Sequence, residues 1–170
     1  PNLGHRLLVD LERAGRMQAL ITQNIDGLHQ AAGSDPDRVI EVHGTARYTR
    51  CWSCGDRRSM SEILDRVRSG EDDPPCESCG GIIKSDTISF GQALVPEVID
   101  RAMTAARRCD LLLAIGSTLS VGPVNTCVPI ASRAGAVVVI VNGQPTDMDR
   151  YADALLIGQI ADLLPRLIGE

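Results

Sequence analysis

One histidine and four cysteines stand at spacings that could do chemistry in this 170-residue chain. In "EVHGTARYTRCWSCG", His43 lies ahead of a Cys-x-x-Cys pair, Cys51 and Cys54. A second pair, Cys76 and Cys79, follows after a 21-residue spacer. Each pair sits in a short knuckle, "CWSCG" or "CESCGG", whose glycines let backbone amides turn toward sulfur. Four thiolates at this spacing match a tetrahedral zinc site, and a site closed by four protein ligands is structural rather than catalytic. Four ordinary buried cysteines would not require two matched knuckles. A nucleic-acid-binding zinc ribbon would require a basic surface. Residues 47–82 instead carry six arginines against seven acids, a balance of −1. Cys109 and Cys127 have no partner spacing, sit in apolar stretches and read as core residues. The four cysteines leave His43 outside the metal site, as a core residue or a reactive group.

Three further stretches place polar residues after apolar ones. "ITQNIDGLHQ" puts Gln23, Asn24 and Asp26 directly behind a strand-like run, and His43 follows the similar run "RVIEV". Ligands of parallel α/β sheets bind at the carboxyl ends of the strands, where these groups would lie. Turn chemistry is the simpler account of "QNID" alone, since Asn and Asp often cap strand ends. Two strand ends delivering amides, a carboxylate and an imidazole to one edge favour a site. "AIGSTLSVGP" offers amides and hydroxyls at a strand end, suited to a phosphate or ribose. "IVNG" places Asn142 similarly.

The elements that must position these groups follow from periodicity. Leu3, Leu7, Leu8 and Leu11 share one face of a first helix that stops at Gly15. "MQALIT", "RVIEVHG", "DLLLAIG", "AVVVIVN" and "DALLIG" read as strands, and "PEVIDRAMTAARR", "NTCVPIASRAG" and "ADLLPRLI" as helices. Near-continuous apolar strands alternating with helices predict an α/β fold, a parallel sheet with helices on both faces. Between the cysteine pairs that pattern stops, apart from a short helix in "SEILDRVRSG". The expected organisation is a sheet domain over 1–46 and 83–170 with an inserted zinc-binding module at 47–82.

Only four residues are aromatic, so the core must be aliphatic. A net charge of −5 argues against a general binder of nucleic acid or anionic membrane. No apolar run is long enough to span a bilayer and no signal-peptide core is visible, so the cysteines are expected as reduced thiols or metal ligands in the cytoplasm.

"TQNIDGLH", "EVHG", the four-cysteine module, "DTISFGQ", "GSTLSVGP" and "IVNGQPTDMDRYAD", in this order, resemble the sirtuins, NAD-dependent protein-lysine deacylases. The resemblance implies a Rossmann-like NAD-binding domain, NAD as cosubstrate, one structural Zn2+ and acyl-lysine-bearing proteins or peptides as partners, without nucleic acid or membrane. It makes His43 the general base that takes a proton from a ribose hydroxyl, which then attacks the alkylimidate formed when the acyl oxygen displaces nicotinamide. Imidazole as a residue type suits that task near neutral pH. Asn24 and Asp26 are implied as catalytic and, with Gln23 and Ile25, as the nicotinamide and ribose pocket. Gly116, Ser117 and Thr118 would contact the phosphate and ribose of the adenosine half, and Asn142, Gly143, Gln144 and Ile160 would hold the adenosine. Ile88, Phe90 and Gly91 on one side and Val121 on the other would edge the acyl-lysine peptide, which adds as a strand.

The family's Gly-Ala-Gly loop and Ile-Pro-Asp-Phe-Arg segment occur nowhere in these 170 residues, so the expected cofactor domain is without its N-terminal part. Ser85 stands where proline is frequent, Gln92 where glutamate is usual, and Gly122 where a larger residue is common. The competing expectations are a catalytically inactive remnant that binds a peptide or partner, and an NAD site that transfers ADP-ribose to protein.

Overall fold

Asn2 opens the first helix: its side chain accepts from the His5 amide at 3.1 Å, with a reciprocal bond from the Asn2 amide to the imidazole, forming a capping box over α1 (Leu3–Arg13). The computed structural model describes residues 1–168, and residues 169 and 170 lie outside it. The chain then runs through β1 (Leu20–Thr22), α2 (Leu28–Ala32), β2 (Val39–Glu41), β3 (Gly44–Cys51), β4 (Arg57–Ser59), α3 (Met60–Arg68) and β5 (Ile83–Thr87). It continues with α4 (Pro96–Arg108), β6 (Leu111–Ile115), α5 (Cys127–Arg133), β7 (Val137–Asn142), β8 (Ala154–Ile157) and α6 (Ile160–Ile168). None of the described helices is long and apolar enough to cross a membrane.

These elements divide into two compact units. The first comprises residues 1–21 and 28–42 and the described chain from residue 95 onward. Its strands β6, β7 and β8 form a parallel ladder, with Leu113 opposite Val139 and Val141 opposite Leu156. The run "VVVIVN" makes β7 the central strand, and Val138, Ile140 and Val141 are at most 1% exposed. β-Branched side chains suit such a strand because their stiff χ1 costs least on a pleated surface. Val128 and Ala131 of α5 pack with Leu119, Val138 and Ile140 in one core cluster. Ala102, Met103 and Ala106 of α4 join Ile40, Val42 and Cys127 in another. Burial pushes the Cys127 thiol up to about 11, as befits an unreactive core cysteine.

β1 and β2 pair separately, as a two-stranded sheet. The single parallel sheet expected from the sequence is therefore two ladders among the described residues, because no described strand joins β1 to β6. The class is α/β, with a parallel sheet and packed helices.

The second unit comprises residues 22–27 and 43–94. Its frame is an antiparallel sheet in the order β4-β3-β5, with Arg50 opposite Arg57 on one side and Lys84 on the other. The 47–82 module lies within this unit. The unit is wider because β3 starts at Gly44 and its ladder with β5 runs to Thr87.

Three cations abreast would repel each other on a sheet. Asp86 offsets the two arginines: its carboxylate accepts from Arg50 Nε at 2.8 Å and Nη2 at 3.2 Å, and from Arg57 Nε at 2.7 Å. The Arg57 guanidinium also lies 3.7 Å from the Tyr48 ring centroid. Burial alone would raise the Asp86 pKa, but the two arginines outweigh it and hold the carboxyl below its usual range. A depressed folded-state pKa means the stabilisation is complete above the unfolded value, about 3.9, and is lost as pH falls through the folded value. The melting temperature of this unit should thus be insensitive to Asp86 between pH 8 and 5 and fall below about pH 4. Asp86→Asn should cost about 1–2 kcal/mol at neutral pH, reduced by the exposure of both arginines, and flatten part of that acid limb. Thermal melts of both proteins across pH check this.

Candidate functional site

His43 sits in the short link between β2 and β3, and two hydrogen bonds hold it there. Its ring Nδ1 is 3.0 Å from the backbone carbonyl of Gln23. A carbonyl can only accept, so Nδ1 carries the proton and the neutral ring presents Nε2 as an open acceptor. The His43 carbonyl accepts from the Ile88 amide at 2.9 Å, which ties the link to the segment after β5. Gly44 follows with φ +72°, and a Cβ there would overlap the Asp86 carbonyl. Only glycine meets both conditions. Gly44→Ala should displace β3 from β5 at the residue next to His43, costing about 2–4 kcal/mol. A urea titration of the variant checks that figure.

The loop after β1 is fixed in the same unit. The Asn24 amide donates to Thr22 Oγ1 at 3.1 Å, and the Ile25 carbonyl accepts from the Ala46 amide at 2.8 Å. Gln23, Asn24, Ile25, Asp26 and His43 thus share one unit, with Gln23 and His43 in direct contact. Ile88, Phe90 and Gly91 lie there too. The 87–92 loop is clipped by Lys84 Nζ, which donates to the Thr87 carbonyl at 3.0 Å and to Gln92 Oε1 at 3.4 Å. The Phe90 side chain at the loop's tip is fully exposed.

The first unit carries the other predicted groups. Gly116 ends β6 with φ +59°, and its amide donates to the Val141 carbonyl at 2.9 Å. A Cβ at Gly116 would meet only Ile160 Cδ1, a side-chain tip that can move aside, so the left-handed φ is what favours glycine here. Ser117 Oγ accepts from the Leu119 amide at 3.1 Å, and Thr118 and Ser120 share a hydroxyl bond of 2.8 Å. Leu119 holds φ +52°, a conformation rare for a branched side chain, and its buried position in the core maintains it. Asn142 is 8% exposed at the end of β7 and donates to the Gln144 carbonyl at 2.9 Å. The adjacent carboxyl ends of β6 and β7 thus present Gly116–Thr118 and Asn142–Gln144, the sheet edge where parallel α/β folds take nucleotides. Val121, 42% exposed, belongs to this unit, so the structure groups it apart from Ile88, Phe90 and Gly91.

The ligand atoms of Cys51, Cys54, Cys76 and Cys79 all lie within 4.8 Å of one another. Cys51 and Cys79 sulfurs are 3.5 Å apart and those of Cys54 and Cys76 are 3.7 Å apart. A tetrahedral site with Zn–S bonds of about 2.3 Å places its sulfurs about 3.8 Å apart, so the four side chains fit that ion. All six cysteines are free of disulfides. The knuckles turn on amide bonds from Cys51 to Asp56 and from Cys76 to Gly81, each 2.8 Å.

Sequence reasoning did not single out Asp86, Arg50, Gly44 or Lys84. Only a like-charge row across paired strands could have signalled them, and the pairing itself was not legible.

The sequence model of the Sir2 family matches residues 1–123. Across 168 residues the chain is 43% identical to NAD-dependent protein deacetylase 2 of Streptomyces coelicolor, covering 99% of this chain and 70% of that protein. It is 45% identical over 170 residues to the NAD-dependent protein deacetylase of Sulfolobus acidocaldarius, all of this chain and 66% of that protein. The chain thus spans about two thirds of the length of these relatives. A solved structure, "Sir2-p53 peptide-NAD+", superposes with a TM-score of 0.90 at 34% identity, covering 98% of this chain and 68% of that one.

Proposed function

This chain belongs to the Sir2 family, and from that premise we propose that it is the core of an NAD-dependent protein-lysine deacylase in which His43 is the general base. The observation that carries the reading is the 3.0 Å bond from His43 Nδ1 to the Gln23 carbonyl. It fixes the tautomer and the ring orientation, and leaves Nε2 to take a proton from a ribose hydroxyl. Bound NAD would supply the electrophilic anomeric carbon for the acyl oxygen of the modified lysine, with nicotinamide as the leaving group.

The chain's own residues bind and orient. Asn24 and Asp26, with Gln23 and Ile25, hold the nicotinamide and its ribose. Gly116, Ser117 and Thr118 hold a phosphate and ribose of the adenosine half, and Asn142, Gly143, Gln144 and Ile160 the adenosine. Ile88, Phe90, Gly91 and Val121 edge the acyl-lysine peptide, Phe90 against the acyl chain. In this reading 1–46 and 83–170 act as the NAD-binding domain and 47–82 as the zinc module, with one Zn2+ bracing Cys51, Cys54, Cys76 and Cys79. Thiolate ligands of this kind persist in a reducing compartment, and the reading places the protein in the cytoplasm.

The relatives are named as enzymes, which gives a binding-only role no support. The test is the mass of an acetyl-lysine peptide incubated with the protein. Loss of the acetyl group only when NAD is present supports the reading. Loss without NAD, or no loss, defeats it.

A further inference from the structure

We propose that Asp56 is a positioning residue for the four-cysteine centre, tying its two knuckles together and so setting how fast the metal leaves. The proposal rests on the zinc assignment of these cysteines. Each knuckle is a local turn that fixes only its own pair of sulfurs. The distance between the pairs is the weak coordinate, because 21 residues separate Cys54 from Cys76.

Asp56 spans that gap. Its backbone carbonyl closes the first knuckle by accepting from the Cys51 amide at 2.8 Å. Its Oδ2 reaches into the second knuckle, accepting from Ser78 Oγ at 3.0 Å, and lies 3.9 Å from Cys76 Sγ. Ser78 stands between the ligands Cys76 and Cys79, so the bond grips the second knuckle at its middle. The same oxygen accepts from Arg58 Nε at 3.0 Å, and Arg58 Nη1 reaches Glu77 Oε2 at 3.3 Å. The carboxylate is thereby held by a partner that itself grips the second knuckle. A backbone bond of 2.8 Å, from the Trp52 amide to the Ile82 carbonyl, is the parallel tie at the other side.

Arg66 of α3 anchors the same knuckle from behind, donating to the Pro75 carbonyl at 2.9 Å and pairing with Glu71 at 2.6 Å. None of these side chains is a ligand, yet together they set the sulfurs within bonding distance of one ion. A metal bound by four thiolates leaves only when the knuckles part, and parting them here breaks the Asp56–Ser78 bond. Outer partners of this kind typically change metal affinity by about 10–100-fold when removed.

The experiment loads the 170-residue chain with zinc and follows its transfer to an excess of a chelating dye. Asp56→Asn should speed release by about tenfold or more, since the amide cannot hold Arg58 and Ser78 as the carboxylate does. Ser78→Ala, which removes only the bond across the gap, should speed it too, and it carries the test if the first variant does not fold. Thr87→Val, which removes only the Ser85–Thr87 hydroxyl bond at the Gly44 end of the β3–β5 ladder, away from Cys51, should stay within about twofold of the native rate. Cobalt-loaded forms of all three should keep the thiolate charge-transfer absorption, showing that the four ligands remain. Release from both Asp56→Asn and Ser78→Ala within twofold of native would overturn the proposal. Equal acceleration by Thr87→Val would also overturn it, by showing general loosening of the unit. A native chain that takes up no zinc would instead refute the zinc assignment itself.

Discussion

His43→Ala is expected to lower kcat/KM for an acyl-lysine peptide by about 10²–10⁴-fold while NAD and peptide still bind, the range for removing a general base. The loss corresponds to about 3–5 kcal/mol of transition-state stabilisation. The Gln23 carbonyl and the Ile88 amide meet the imidazole and the backbone of residue 43, respectively. Alanine keeps the backbone bond and loses only the ring, so the fold should persist and the chemistry should not. Steady-state kinetics with a calorimetric measure of peptide binding separates the two. A variant with native kcat and weakened binding would assign His43 to substrate contact instead.

Stripping the metal is expected to have the largest effect on structure. Cys51 and Cys76 are 2% and 3% exposed, and they are the main buried apolar-class residues of a unit whose sheet is otherwise polar. With so little apolar burial, the β4-β3-β5 sheet must draw its stability from the centre, and structural zinc sites contribute about 10 kcal/mol or more when folding is coupled to binding. Chelation, or Cys76→Ser, should abolish hydrogen-exchange protection across β3 and β5 and leave β6, β7 and β8 protected, since their core contains none of the ligands. The single tryptophan, Trp52, reports the change directly. It lies in the first knuckle with Lys84 Nζ 5.0 Å from its ring, so its emission should shift as the knuckle opens. Unchanged protection after complete chelation would show that the ion pairs alone hold the unit.

The parts of the fold legible in the sequence are those built from apolar repetition. "DLLLAIG" and "VVVIVN" could hardly be anything but strands, although only β7 is buried while β6 is partly covered, and α4 announces itself with Pro96 at its start and Arg107 and Arg108 in its last turn. The antiparallel sheet was not legible. "GTARYTRC", "RRS" and "IKSDT" lack apolar alternation because most cross-strand neighbours are polar, and Asp86 ties the three strands through Arg50 and Arg57. The cysteine centre was readable from spacing alone, since ligand chemistry constrains sequence more tightly than packing does. His43 was readable as a strand-end residue, but its tautomer was not, because that depends on a carbonyl 20 residues away.

The most direct measurement is the identity of the small-molecule product formed from NAD and an acetylated peptide, read by mass spectrometry against the lysine set free. Acetyl-ADP-ribose and nicotinamide are expected, each equal in amount to the lysine released. Free acetate with unconsumed NAD, or ADP-ribose attached to the peptide, would contradict it.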